Sequence, residues 1–328
     1  MKRINGLYDK ICTLDNLHLA YGKARKGKGK TFGVLSFQNN LMENINQLYI
    51  ELLNETYRTS EYETFTIYEP KERLISRLPF RDRVIHHAIM NVMEDIWVSV
   101  FIANTYSCIK TRGIHGALRH LKRDLKNITG TTYCLKLDIT KFYPSVDHNI
   151  MKNILRKKIK DVKLLNLLDG IIDSAPGLPI GNYLSQFLAN LYLTYFDHWL
   201  KEDKQAKYYY RYADDIVILD SDKQRLHDLF GEIRNYLHVN LRLQVKGDYQ
   251  VFPVKARGID FVGYVFRHRR IFMRKSIKVR LCKQAAKLNK KDISVKEYKQ
   301  KISPRLGWAK HCNSDALLRK IIKYEEIL

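Results

Sequence analysis

The stretch YYYRYADDIVIL, at residues 208–219, places two adjacent acids between two runs of aromatic and β-branched residues. Such runs on both sides of a short polar segment predict a strand, a tight turn and a second strand, with Asp214 and Asp215 at the tip. An arbitrary Asp-Asp pair is usually a solvated turn. Here both flanking strands are predicted to be buried, and charge at the end of a buried hairpin requires a cation.

A second acid stands in a similar setting 76 residues before Asp214. The segment YCLKLDI, at residues 133–139, is a mostly apolar strand that ends at Asp138. Only tertiary folding can bring these acids together. A carboxylate cluster assembled in this way suits two divalent ions about 4 Å apart, which activate an attacking oxygen and stabilise a leaving one. Mg²⁺ is the expected ion, because it suits an all-oxygen site that also takes substrate phosphates.

The net charge of the chain indicates what kind of molecule it binds. The 328 residues contain 58 Lys and Arg against 34 acids, a formal net charge of +24. This excess favours a nucleic-acid partner, because neutralisation of phosphates drives such binding. A basic protein without a polyanionic partner is the alternative. The hydrophobic content of 45% is ordinary for a folded chain with a core.

Cysteine usage and hydropathy indicate the compartment. The five cysteines are odd in number, scattered and without a CxxC pair, which predicts reduced thiols and a cytoplasmic location. No apolar run reaches membrane-spanning length, and the N-terminus has no signal-peptide core. We therefore expect no membrane partner.

Four motifs, in order, resemble those of reverse transcriptases. Asp138 with FYP at residues 142–144 resembles their motif A, and YADD at residues 212–215 resembles motif C. Between them, GLPIGNYLSQ at residues 177–186 resembles motif B, and FVGY at residues 261–264 resembles motif E. Four motifs in this order are far more specific than YADD alone.

The resemblance covers about residues 65–275 and implies an α+β right-hand polymerase. We expect N-terminal helices and fingers in residues 1–130, a palm of antiparallel sheet backed by helices in residues 131–266, and a short helical thumb in residues 267–328. The last segment holds 19 Lys and Arg against five acids, a net charge of +14. This concentration favours binding of a template–primer duplex over a merely solvated charged face.

The resemblance also implies a reaction and a metal site. A primer 3′-oxygen attacks a deoxynucleoside triphosphate and releases pyrophosphate, with template RNA and a DNA or RNA primer as partners. Asp138 and Asp214 are implied to hold two Mg²⁺ ions, for which Mn²⁺ can substitute, with the Ile139 carbonyl as a further ligand. Asp215 is implied to help more indirectly. Catalysis is then mainly positioning and charge stabilisation.

The resemblance also implies that residues other than the three aspartates contact the nucleotide. Lys71 and Arg73 match basic residues of a finger hairpin over the triphosphate, and an exposed charged turn is the alternative. Tyr143, five residues past Asp138, matches an aromatic gate that excludes a ribose 2′-OH, whereas a packed core aromatic is the alternative. Lys246 matches a motif D lysine that protonates pyrophosphate, with a solvated turn lysine as the other interpretation.

A basic turn at Lys110 and Arg112 precedes a predicted helix start. Backbone N–H groups at a helix start suit a phosphate, so we expect a contact with the template here. A plain loop before a capped helix is the alternative.

Motif B departs from the usual family pattern of Pro-Gln-Gly followed by Ser-Pro. Ile180 stands before Gly181, and Gln186 follows Ser185. This variant resembles the reverse transcriptases of diversity-generating retroelements, group II intron-like enzymes of bacteria and phages. The resemblance places Ile180, Gly181 and Gln186 at the nascent base pair. It also implies error-prone copying at template adenines and a small basic accessory protein as partner.

Two rival interpretations stay open. A retron or phage-defence reverse transcriptase would share the chemistry but use a different RNA and partner. A non-catalytic RNA-binding protein on a decayed polymerase fold would lack the chemistry. All three acids, Asp138, Asp214 and Asp215, are intact, which argues against decay.

Overall fold

The computed structural model describes residues 3–68 and 72–327. The chain divides into two compact units, each built from three separate segments. The helical unit consists of Met1–Lys110, Ile139–Gln205 and Glu232–Lys246. The sheet unit consists of Thr111–Asp138, Ala206–Gly231 and Gly247–Leu328. The expected division into fingers, palm and thumb at residues 130 and 266 stays a prediction.

The secondary structure mixes helices with short antiparallel strands. The helices are α1 (Tyr8–Ile11), α2 (Leu14–Arg25), α3 (Phe32–Asn39), α4 (Leu41–Leu53), α5 (Phe80–Val98), α6 (Gly113–Asp124), α7 (His148–Arg156), α8 (Val162–Ile172), α9 (Tyr183–Tyr192), α10 (Thr194–His198), α11 (Lys223–Leu241), α12 (Val254–Arg257), α13 (Lys275–Asn289), α14 (Val295–Ala309) and α15 (Asp315–Ile321). The strands are β1 (Glu63–Ile67), β2 (Arg73–Arg77), β3 (Tyr133–Asp138), β4 (Tyr208–Tyr212), β5 (Asp215–Asp220), β6 (Gln250–Pro253), β7 (Ile259–Phe261), β8 (Tyr264–Phe266) and β9 (Ile271–Met273).

The helical unit is organised around α5, which packs against α2 and α9. Helix α2 begins where Thr13 accepts a hydrogen bond from the Asn16 N–H at 3.2 Å, which satisfies one of the open donors of its first turn. The buried Asn16 side chain then donates to the Ala88 carbonyl of α5 at 3.1 Å. A polar side chain can be buried at this packed contact because its donors are paired.

The same unit contains the hairpin formed by β1 and β2, in which Ile67 lies opposite Arg73. We call this pair of strands the finger hairpin. Its two strands, Glu63–Ile67 and Arg73–Arg77, agree with the hairpin that the resemblance implies. Lys71 lies outside the described residues.

The sheet unit is built on a four-stranded sheet in the order β4-β5-β3-β6. All of its neighbouring strands are antiparallel. Strand β3 is internal, and its residues Leu135 and Leu137 are buried opposite Ile218 and Ile216 of β5. The expected α+β class with an antiparallel central sheet is therefore confirmed.

A second antiparallel sheet in this unit has the order β7-β8-β9. Gly263, in the turn between β7 and β8, has a φ of +88°. A Cβ at this position would lie 2.5 Å from Cζ3 of Trp308 in α14. Only glycine allows the turn to approach the indole ring so closely.

Within the described residues, no helix is both long enough and apolar enough to cross a lipid bilayer.

Candidate active site

The predicted acidic hairpin is present in the sheet unit. Tyr212 lies opposite Asp215, and Ala213 and Asp214 form the turn between β4 and β5. Ala213 has a φ of +55°. A left-handed conformation costs a residue with a Cβ about 1–2 kcal/mol, so the surrounding structure must stabilise this turn. Asp214 therefore occupies the turn itself, whereas Asp215 is the first residue of a strand.

The register of the sheet brings the separate acids together. Asp138 at the end of β3 lies directly opposite Asp215 at the start of β5. Opposite residues of an antiparallel pair have their side chains on the same face, with Cβ atoms about 4.5–5.5 Å apart. Burial raises the pKa of Asp215 to about 6, and the charge of Asp138 adds to the rise while Lys136 opposes it. The site therefore holds two like charges in a poorly solvated position.

Lys136 is a functional candidate that the sequence did not reveal. Its Nζ lies 3.5 Å from Oδ1 of Asp215 and donates to the backbone carbonyl of Asp260 in β7. The Asp260 carboxylate in turn accepts from Nε of Arg274 at 2.7 Å. Lys136 precedes Asp138 by two residues, so the two side chains share one face of β3. This lysine links the acidic pair to the second sheet.

The side chain of Arg211 is a second feature that the sequence did not reveal. It is fully buried, with 0% exposure, although it lies next to the acidic turn. Its Nη1 donates to the Ala213 carbonyl oxygen at 3.0 Å. The available signal was an arginine inside an otherwise aromatic buried strand.

The donor set of the site suits a divalent cation. Carboxylate oxygens are the ligands that Mg²⁺ prefers, and the half-buried residues Asp138 and Asp215 lie opposite each other in the sheet. The described residues contain no group of three or more His, Cys, Asp or Glu side chains close enough to hold a metal ion together. Two of the predicted acids, Asp138 and Asp215, therefore form a pair, and the third, Asp214, lies on the adjoining turn.

In the helical unit, Tyr143 contacts the segment that resembles motif B. It begins a 3₁₀ turn at Tyr143–Ser145, and its carbonyl accepts from the Leu178 N–H at 2.8 Å. Gly177 has a φ of +60°, and a Cβ there would lie 2.6 Å from the Tyr143 carbonyl oxygen. The neighbouring Phe142 is buried, whereas Tyr143 is only half-buried. Phe142 thus fills the core and leaves the Tyr143 ring partly exposed.

The same unit joins the finger hairpin to the predicted nucleotide-contacting residues. The Ser76 N–H of β2 donates to the Ile180 carbonyl at 2.8 Å. Gly181 has a φ of +122°, and a Cβ there would lie 2.7 Å from the Ser76 carbonyl oxygen. Arg73 is exposed at the start of β2, and Gln186 is exposed on α9. Arg73, Ile180 and Gly181 therefore belong to one connected part of the unit.

The motif D segment lies beside the residues that follow Asp138. Ile139 forms a bridge with Val245, and the Thr140 N–H donates to the Gln244 carbonyl at 2.8 Å. This pairing places Lys246 directly after a segment anchored to the Ile139 backbone.

The two predicted template residues have different surroundings. Nζ of Lys110, in the helical unit, lies 2.8 Å from Oε2 of Glu94. This hydrogen bond raises the pKa of Lys110. Arg112, in the sheet unit, directly precedes helix α6. A phosphate that binds Lys110 must therefore compete with the Glu94 carboxylate for the ammonium group.

Comparison with known proteins shows a family match. A family model described as "Reverse transcriptase (RNA-dependent DNA polymerase)" matches residues 68–266. Protein YkfC of Escherichia coli (strain K12) is 25% identical over 267 residues, covering 66% of this chain and 70% of that protein. The group II intron-encoded protein LtrA of Lactococcus lactis subsp. cremoris is 22% identical over 343 residues, covering 80% of this chain and 57% of that protein.

The fold is also similar to that of a solved structure. Telomerase from Candida tropicalis, in complex with a fragment of telomeric RNA, aligns with a TM-score of 0.52 and 12% identity. The alignment covers 85% of this chain and 59% of the telomerase chain. At this identity the likeness shows the fold alone, and it confirms the polymerase fold that the sequence predicted. The chain spans less than two thirds of the length of the telomerase chain and of the Lactococcus protein.

Proposed function

Because the chain belongs to the reverse transcriptase (RNA-dependent DNA polymerase) family, we propose that it extends a primer with deoxynucleotides on an RNA template. One observation carries this proposal within the structure. Asp138 and Asp215 face each other in register, and Asp214 stands on the turn that β5 follows. A decayed, purely RNA-binding relative would have no need for two half-buried acids that repel each other.

The acids have distinct roles in the proposed mechanism. Asp138 and Asp214 would hold two divalent cations, Mg²⁺ or Mn²⁺, with the Ile139 carbonyl as an additional ligand. Bound ions of this kind activate the attacking 3′-oxygen and stabilise the leaving pyrophosphate. Asp215 is already paired with Lys136, so it acts more indirectly by adding negative charge to the site.

Other residues bind and orient the substrate. Arg73 contacts the triphosphate from the finger hairpin, because a guanidinium can bind phosphate oxygens in a bidentate manner. Lys71 is proposed to act beside it. Tyr143 lies under the sugar and excludes a ribose 2′-OH, and Lys246 supplies the proton to pyrophosphate. Ile180, Gly181 and Gln186 contact the nascent base pair.

A cluster of cations supports an RNA partner for the helical unit. Burial lowers the pKa of His87 to about 4, and the nearby charges of Arg83, Lys23 and Lys28 lower it further. Burial and Arg83 also lower the pKa of Lys28. Cations that repel one another in this way provide a favourable site for phosphate. The Tyr183 ring stacks on His87 at 4.4 Å, which adds an aromatic surface of the kind that contacts bases.

Further basic residues are proposed to bind the template and the duplex. Lys110 and Arg112 contact template phosphates on the two sides of a short turn. The segment 267–328, with its net charge of +14, contributes to duplex binding. We place the reaction in the cytoplasm.

The finer proposal is that the enzyme serves a diversity-generating retroelement and copies template adenines with many errors. Ile180 replaces an amide that would otherwise make a polar contact near the base pair. Correct and incorrect pairs differ by only a few kcal/mol, so loss of a contact worth about 1 kcal/mol changes error rates several-fold. A small basic accessory protein is the proposed partner.

A second candidate is a reverse transcriptase of the intron or retron type without adenine-specific errors. The observation in its favour is the similarity to the Lactococcus group II intron-encoded protein over 80% of this chain. The two candidates share the reaction and differ in fidelity and in partner. Sequencing of the product therefore distinguishes them.

The test is primer extension with Mg²⁺ on one defined RNA, followed by deep sequencing of the DNA product. Wild type should extend the primer, and errors should concentrate opposite template adenine. Asp214→Asn should abolish synthesis while RNA binding persists, because affinity comes from the distributed basic surface. Ile180→Gln should lower errors at adenine more than errors at other bases.

The outcomes separate the two levels of the proposal. Full synthesis by Asp214→Asn would contradict the catalytic assignment. Uniformly low error at all four template bases in wild type would remove the diversity-generating assignment and favour the intron or retron type.

A further inference from the structure

The side chain of Arg211 lies behind the acidic turn. Opposite residues of antiparallel strands share a face, and successive residues alternate between faces. Arg211, Ile216 and Leu137 form one cross-strand row, and the next row contains Asp215 and Asp138. Arg211 therefore lies on the face of the sheet opposite to the acidic pair. From that side it cannot serve as a ligand for substrate or metal on the acidic face.

Burial of a guanidinium is costly unless its donors are hydrogen-bonded. Arg211 is among the largest fully buried side chains of the described residues. Its Nη1 turns back along the strand and donates to the carbonyl oxygen of Ala213 at 3.0 Å. A hydrogen bond from a charged donor is stronger than one between neutral groups.

The accepting carbonyl belongs to the peptide that joins Ala213 to Asp214. The orientation of this peptide sets the direction of the Asp214 backbone and thereby of its side chain. Ala213 holds a φ of +55°, a conformation that its Cβ disfavours. The turn therefore needs an external interaction to keep this geometry, and Arg211 provides one.

We propose that Arg211 is a positioning residue, which locks the Ala213–Asp214 peptide through its buried hydrogen bond and so orients Asp214 for cation binding. The proposal rests on the proposed function of Asp214. Arg211 does not contact the substrate and acts only through the turn. The predicted consequence is a loss of cation affinity and of turn rigidity when the guanidinium is removed.

The first test compares wild type with Arg211→Met, which replaces the guanidinium by an unbranched apolar side chain. We expect the half-activating Mg²⁺ concentration in primer extension to rise about tenfold or more, which corresponds to about 1.4 kcal/mol. In metal-free protein, amide hydrogen exchange of the peptide covering residues 208–219 should become faster at the turn. This second readout does not require an active enzyme.

A matched control separates positioning from general stability. Ile218→Val removes one methyl group from a buried position in the same hairpin, three residues beyond Asp215. It should lower the melting temperature without changing the half-activating Mg²⁺ concentration or the exchange at the turn. If Arg211→Met lowers only the melting temperature, as the control does, the proposal is wrong.

A second-site variant tests the mechanism directly. Glycine tolerates a positive φ without the penalty that alanine has. Ala213→Gly should therefore recover part of the Mg²⁺ affinity in the Arg211→Met background. A double variant whose loss equals or exceeds the product of the single losses would overturn the role assigned to the turn.

A conservative variant keeps the test decisive if Arg211→Met does not fold. Arg211→Lys retains the charge but loses the planar fork, so its half-activating Mg²⁺ concentration should be higher than that of wild type. A wild-type value would contradict the proposal. If wild type itself does not extend primers, the proposed function fails, whereas the hydrogen-exchange comparison still decides whether Arg211 locks the turn.

Discussion

The Ser76 N–H donates to the Ile180 carbonyl oxygen at 2.8 Å and thereby ties strand β2 to the loop before α9. The next residue, Gly181, has a φ of +122° and lies against the Ser76 carbonyl. Strand β2, which begins at Arg73, the residue proposed to contact the nucleotide, is thus joined through main-chain atoms to Ile180, the residue proposed to influence fidelity. Displacement of this loop should affect both.

Gly181→Ala tests this connection. The new Cβ would lie 2.7 Å from a backbone oxygen and would also strain the positive φ. We expect a loss of stability of about 1–3 kcal/mol, the usual cost of overpacking, and a higher KM for deoxynucleotides. Denaturant unfolding and steady-state kinetics measure the two effects.

A matched control is Gly170→Ala in α8, where a Cβ would meet no atom within 4 Å. Alanine favours a helix over glycine by up to about 1 kcal/mol, so this variant should be neutral or slightly more stable. If the two variants behave alike, the contact between Gly181 and Ser76 has no importance.

Tyr143→Ala should admit ribonucleotides more readily. The Phe142 side chain is buried, whereas the Tyr143 ring is half-buried, so removal of the Tyr143 ring should relax steric exclusion of the 2′-OH. The measurement is the ratio of kcat/KM for deoxynucleotides to that for ribonucleotides. Phe142→Leu should lower stability and leave this ratio unchanged. An unchanged ratio in Tyr143→Ala would mean that the ring only packs.

Asp147 should make stability depend on acidic pH. It caps α7 by accepting from the Ile150 N–H at 3.0 Å and pairs with Arg242 at 2.6 Å. The Ile150 hydrogen bond and Arg242 lower the pKa of Asp147. A carboxyl group whose folded pKa is depressed stabilises the fold above its unfolded value, near 3.9, and loses that contribution as pH falls through the folded pKa.

The corresponding variant is Asp147→Asn, which can still cap the helix but loses the ion pair. Its free energy of unfolding should lie about 1 kcal/mol or less below that of wild type at pH 7, because Arg242 is largely exposed. The difference should shrink as pH falls below about 4. A difference that stays constant from pH 7 to pH 3 would contradict the assigned cause.

RNA binding should become less dependent on salt when basic residues of α13 and its C-cap residue, Lys290, are neutralised. The variant replaces Lys283, Lys287 and Lys290, which are exposed, by Gln. Each lysine that contacts a phosphate contributes up to about 0.9 to the slope of log affinity against log salt. Deletion of residues 267–328 is a poor test, because β9 and Trp308 belong to the packed sheet unit.

The control neutralises an equal number of exposed lysines in the helical unit, namely Lys10, Lys160 and Lys163. Its net charge changes by the same amount, so any general electrostatic effect should be equal in both variants. Equal slopes would show that α13 does not contact the nucleic acid.

The sequence predicted the elements of the site better than their register. Runs of aromatic and β-branched residues identified β4 and β5, and the apolar run before Asp138 identified β3. Asp138 faces Asp215 rather than Asp214 because of strand pairing between segments that are distant in the chain. A shift of one residue would have moved every side chain to the other face, and no local signal determines it.

The supporting charges were harder to predict. Lys136 binds the carbonyl of Asp260, 124 residues later in the chain, and its role is visible only once β7 is placed. The only signal for Arg211 in the sequence was its place inside an otherwise aromatic strand. Its burial follows from the packing of both faces of β4, which composition alone does not specify.

The position of β3 has a consequence for synthesis of the protein. Both of its neighbours in the sheet, β5 and β6, come later in the chain, and β6 ends only at Pro253. On the ribosome, one edge of this largely apolar strand stays unpaired until β5 ends at Asp220, 82 residues after Asp138. The other edge stays unpaired until β6 ends at Pro253, 115 residues after Asp138. Unpaired strand edges promote aggregation. We therefore expect exposed β3 to be the main reason why the nascent chain needs chaperones.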